Sequence, residues 1–162
     1  MKREDIFTII ETINIDVAEK MVDAIIHCTK FDGKPDIVAV VLGVDNRILC
    51  LKKSGNNPLL VSDSWAVKKA LTAIAFGAST VSLAAEKPTF DVGDNFCKCP
   101  GGILIPSSKW SGWLYKSFEQ MPKDGSIKPF SGAIGVSGRS SKEDHQLAID
   151  GLTDFIKSVR GE

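Results

Sequence analysis

Few side chains in this 162-residue chain could do chemistry. There are two histidines, His27 and His145, and four cysteines, Cys28, Cys50, Cys97 and Cys99. His145 falls in the first turn of a helix opened by Ser140, at the angle shared by Leu152 and Ile156, so its ring points inward. The helix macrodipole favours a neutral imidazole there, able to ligate a metal or accept a proton. The plainer alternative is a half-buried ring bonded to a backbone carbonyl. His27 sits at the edge of an apolar stripe, and these two are the candidate catalytic residues. Cys97-Lys98-Cys99 is too tightly spaced for an easy mutual disulfide. Without a second pair at ligand spacing it is a weak zinc signal, so no metal site is expected. Cys28 and Cys50 lie in apolar segments and read as small, reduced core residues. No Ser-His-Asp set, Walker loop or paired carboxylates appear. An enzyme built on this chain would be limited to proton shuffling, isomerisation, cyclisation or lyase chemistry in an apolar pocket.

Candidate ligand-binding residues lie on two stretches. From Asp63 onward, Val67, Ala70, Leu71, Ile74 and Ala78 form a core stripe of a helix. On the other side Trp65, Lys69, Thr72 and Phe76 recur at i, i+4, i+7 and i+11. A second non-solvent face with a lysine at its centre favours a ligand or a partner subunit over internal packing. Residues 107–129 hold Trp110, Trp113, Tyr115 and Phe118 within nine positions. Leu114, Phe118 and Met121 fit a helix that Pro122 ends, while Ser111-Gly112 could instead be a hairpin turn. Together Trp65, Lys69, Phe76, Trp110, Trp113 and Tyr115 would wall an apolar pocket with one cation, suited to a flat or carboxylated ligand. Paired with the two-faced helix, this aromatic segment also points to a homo-oligomer.

The elements that must hold these residues fit one domain over 1–162. Twenty basic residues balance twenty acidic ones, with no long run of either sign, which argues against charge-driven binding to nucleic acid or a membrane surface. No apolar run is long enough to span a membrane and residues 1–15 lack a secretory pattern, so a cytoplasmic protein is expected. Ile6, Ile9, Ile10 and Ile13 suggest a short amphipathic helix. A second, capped by Asp16, carries Val17, Met21, Ala24, Ile25 and Cys28 until Gly33 and Pro35 end it. Asp36 to Leu42 reads as a strand covered on both faces, and Arg47 to Lys53 as its hairpin partner across Asp45-Asn46. Residues 79–86 continue as a short helix, 87–100 as a loop, and Gly101 to Ile105 as a strand stopped by Pro106.

The most structured stretch is 129–152, PFSGAIGVSGRSSKEDHQLAIDGL. Ala133 to Val136 form a strand, the chain turns at Ser137-Gly138, and Ser140 with Glu143 makes a capping box for the last helix, whose Ala148, Ile149, Leu152, Phe155, Ile156 and Val159 form one apolar face. Gly132, Gly135 and Gly138 are not spaced as a dinucleotide fingerprint. They suit close backbone packing and one tight turn.

The strand Ile37 to Leu42 with Asp45, the helix pattern Ala66, Lys69-Ala70, Thr72-Ala73, Phe76-Gly77 and Thr80, and Gly101-Gly102 with Gly132 to Gly138, Asp144, Ala148 and Gly151 resemble the GlcG/HbpS-like family. That family is the haem-binding or haem-degrading domain also found at the C-terminal end of PduO-type proteins. The resemblance implies an α+β fold of profilin-like type, an antiparallel β-sheet with helices packed on it. It further implies homo-oligomers, a small-molecule ligand, and haem as the one cofactor to consider. Departures are Asn46-Arg47 where a glycine usually follows Asp45, a delayed Pro106, and an aromatic-rich insertion of about 107–129 before the last strand. Three functions follow: a haem-binding or haem-degrading domain, a cofactor-free isomerase, cyclase or lyase in a remodelled pocket, and a non-catalytic oligomeric sensor or scaffold.

Overall fold

Residues 13–30, 32–55, 61–86, 95–110 and 123–161 are described by the computed structural model. The helix expected before Ile13, the helix or turn expected over 111–121, and Trp113 and Tyr115 lie outside these residues. The first described helix, α1 (Ile15–His27), is capped by Asn14, whose side chain accepts from the Asp16 amide at 2.8 Å. The cap expected at Asp16 is therefore two residues earlier, where the backbone is extended. Asp16 instead lies in the first turn, where its charge favours the positive helix end.

Strand β1 (Val38–Gly43) is buried at all six positions, and β2 (Ile48–Lys53) returns antiparallel beside it. Asn46 takes φ 65 in the connecting turn, the left-handed conformation that asparagine tolerates better than most side chains. Helix α2 (Ser62–Phe76) ends at Gly77 with φ 59, and α3 (Thr80–Glu86) follows. Strands β3 (Gly102–Pro106) and β4 (Phe130–Ser137) pair antiparallel, with Pro106 the last residue of β3 beyond a bulge. The closing helix α4 (Ser141–Arg160) has the expected capping box at Ser140 and Glu143. Strand order is β2-β1-β4-β3, antiparallel throughout, so the chain is an α+β fold with helices on a four-stranded sheet.

Helix α2 packs across β4, β1 and β3, whereas α1 and α4 pack on each other and on the opposite face. Glycine decides how close α2 comes. A Cβ at Gly135 would run into the Ala66 carbonyl oxygen, and one at Gly102 into the Lys69 carbonyl oxygen. Gly132, three residues from Gly135 and so on the other sheet face, would meet the Ile13 side chain. The core between these layers includes Ile25, Ile37, Leu42, Leu104, Ile134, Leu152 and Ile156, each shielded from solvent. Full burial of such a side chain contributes roughly 1.5–3 kcal/mol.

The flanks of the expected insertion belong to this core. Trp110 and Ile127 are buried, and the Leu104 amide donates to the Gly125 carbonyl at 2.9 Å. Cutting 108–128 to a brief turn would remove those contacts.

Candidate functional site

Two places in the described residues concentrate groups that could act. The first is polar and buried. Lys69 extends from α2 past the end of the sheet, and its Nζ donates to the Val136 carbonyl at 2.8 Å and to Asp144 Oδ2 at 2.7 Å. The Lys69 and Asp144 side chains are 2% and 3% exposed. Asp144 Oδ1 accepts from the Arg139 amide at 3.0 Å, so this carboxylate both supports the start of α4 and holds Lys69. Burial pushes the Asp144 carboxyl above its ordinary range, while the Lys69 charge and hydrogen bond pull it down. Gly101, at φ 125, makes room: a Cβ there would lie 2.6 Å from the Val136 carbonyl oxygen and 3.0 Å from Lys69 Nζ.

This geometry corrects the expected second face of α2. Lys69 and Thr72 pack inward, and Thr72 Oγ1 accepts from the Cys97 amide at 2.7 Å. Phe76 stacks edge-on against Phe96, with ring centroids 5.8 Å apart. Trp65 is 41% exposed, so Trp65, Lys69 and Phe76 do not converge on one pocket. Small residues under α2 are the physical reason, since they bring the helix close enough for Lys69 to reach across the sheet end.

The second place is an apolar cleft of about 470 Å³ on the opposite side, where the first half of α1, the last turns of α4 and the end of β3 meet. Val17 and Met21 come from α1, Phe155 and Val159 from α4, and Ile105 and Pro106 from β3. Ile13, Asn14, Ser108 and Ser131 complete the described lining, which carries no charged side chain. Ser131 Oγ donates to the Pro106 carbonyl at 3.0 Å, and Asn14 Oδ1 is taken by its helix cap. The walls can therefore offer apolar area and shape, with little directed polar recognition. Ser108 lines the cleft, while Trp110, two residues on, is buried in the core. Sequence reading had these α1 and α4 residues only as core stripes. Val159, 60% exposed at the end of its stripe, is the signal that the stripe outruns the sheet.

The candidate catalytic histidines stand apart from both places. His27 is the exposed last residue of α1. His145 is half-buried, with Nε2 3.2 Å from the Lys123 carbonyl. A carbonyl only accepts, so Nε2 carries the hydrogen, and the bare Nδ1 is buried without a hydrogen-bond partner. None of the four cysteines is in the described lining of the cleft. Cys28 donates to Asp154 Oδ2 at 3.7 Å, and burial with the neighbouring carboxylate pushes it up to about 11. Burial raises Cys97 to about 11 and raises Cys50 as well. A haem can find flat apolar walls in the cleft, but no described histidine or thiolate is placed there to bind its iron, so the residues present do not fit axial ligation. Among the described residues no group of three or more histidine, cysteine, aspartate or glutamate side chains could hold a metal ion, and no helix is long and apolar enough to cross a membrane.

A stretch of 29 residues is 59% identical to a UPF0303 protein of Psychromonas ingrahamii, a match spanning only 18% of this chain and 18% of that protein. Among solved structures, a double mutant of HbpS from Streptomyces reticuli superposes with TM-score 0.70 at 22% identity, over 95% of this chain and 94% of that one. Klebsiella pneumoniae ORFY gives TM-score 0.70 at 18% identity, with 96% of each chain covered. A PduOC complex with haem gives 0.65 at 18% identity, over 88% of this chain and 94% of that one. At these identities the likenesses show a shared fold. The model of the haem-degrading HbpS-like proteins matches residues 13–114, more than half of the chain, and the chain belongs to that family.

Proposed function

We propose that this chain is a small-molecule-binding domain whose ligand is a flat, mostly apolar molecule of the haem class, held in the cleft between α1, α4 and the end of β3. The cleft carries this reading: it is apolar on three sides, uncharged in its described lining, and large enough to bury much of a ring system. Family membership and the fold shared with a haem-bound PduOC support the choice of ligand class. The Lys69–Asp144 pair does not favour a cofactor-free enzyme, because each charge is already engaged by the other. Haemin titrated into the protein should give a saturable change in the visible spectrum at one ring per chain. Val17→Glu with Val159→Glu places two charges on partly exposed cleft positions and should abolish that change while the fold persists. No saturable change, or an unaltered one in the double variant, would refute the proposal.

The same proposal includes self-association. Ile48, Val61 and Trp65 are exposed, and a groove lined by Ile48, Leu51, Val67 and Leu71 runs between α2 and the outer strand β2. Sedimentation at micromolar concentration should show a species heavier than the 17.5 kDa chain. A clean monomer would remove this part.

A further inference from the structure

We infer that the cleft holds its ligand through its apolar walls and not through a bond to iron, so that the ligand class is a flat hydrophobic macrocycle whether or not it carries a metal. The inference rests on the cleft being the binding site, and it follows from where the donors are. The cleft uses Val17 and Met21 of α1, whereas His27 lies six residues beyond Met21, about 9 Å of helix rise, and is exposed. On α4 the cleft uses Phe155 and Val159, whereas His145 lies ten residues earlier, about 15 Å along the axis, with Nε2 committed to the Lys123 carbonyl. Cysteine could serve iron only from within the cleft, and Cys28, Cys97 and Cys99 are all outside its described lining. Cys50 lies on β2, away from the cleft lining. Among the described residues Met21 is the one sulfur donor that lines the cleft, and its side chain is packed into the core, 3% exposed.

What remains is a slot whose walls reward removal of apolar area from water, a term that depends on the ring and not on its centre. A coordinating protein would instead prefer haemin to the metal-free ring by a wide margin, since axial ligation adds a bond that the free ring cannot make.

The experiment is a pair of titrations on the full chain, one with haemin and one with metal-free protoporphyrin IX, each followed by absorbance and by quenching of tryptophan fluorescence. The two dissociation constants should agree within about threefold, well inside the tenfold that separates 1.4 kcal/mol. They should stay so in a variant combining His27→Ala, His145→Gln and Tyr115→Phe, and in Met21→Leu. Bound haemin should show no bands of a histidine-ligated, six-coordinate iron. Haemin binding more than about tenfold tighter than the free ring, or lost selectively in either variant, would overturn the inference while leaving the cleft as the site. Failure of both rings to bind would overturn the cleft reading and this inference with it.

Discussion

At the scale of single residues, Lys69 is where sequence and structure part most clearly. Its position between Trp65 and Phe76 suggests a cation offered to a ligand, yet its ammonium lies between the Val136 carbonyl and Asp144. A buried ion pair contributes little net stability, but removing one partner strands the other charge. Lys69→Met should therefore destabilise the fold by about 3–5 kcal/mol, read as a lower denaturant midpoint. Combining it with Asp144→Leu should recover much of the loss. A Lys69→Met protein as stable as the parent would mean that the ammonium is not engaged as described. His145 follows the plainer of its two sequence readings, with its ring bonded to the Lys123 carbonyl. Nothing in the local sequence announces the Lys69 partner, because Asp144 is 75 residues away.

At the scale of elements, much was legible. The continuous apolar, β-branched run placed β1, the Asp45-Asn46 turn placed its hairpin partner β2, and Ser140 with Glu143 fixed the start of α4 because a capping box satisfies backbone amides locally. What α2 packs against was not legible. Periodicity shows that a helix has two non-solvent faces, but whether the second meets a ligand or a sheet depends on how near the sheet lies. That distance is set by Gly102, Ala133 and Gly135, which share the face under α2. Gly135→Ala would push its methyl into the Ala66 carbonyl, lift α2, and destabilise by about 1–3 kcal/mol or more. Thermal unfolding reads this directly, and an unchanged midpoint would show that α2 and β4 are not in backbone contact.

At the scale of the molecule, the proposed binding site is the cleft where α1, α4 and the end of β3 meet. The stripes of α1 and α4 were visible in the sequence as core, but a cleft is the place where core residues lack an opposing layer. That depends on the lengths of helices and strands together, which no single segment reveals. Family membership supplies the class of ligand to try, while the placement of His27, His145 and the thiols determines how such a ligand could be held. The most direct measurement is a map of backbone amide shifts in isotope-labelled protein as metal-free protoporphyrin IX is added. The amides of Asn14, Val17, Met21, Ile105, Ser131, Phe155 and Val159 should move first and saturate together. Shifts confined instead to Trp65, Phe76 and the rest of α2, or to the surroundings of His145, would contradict the assignment of the cleft.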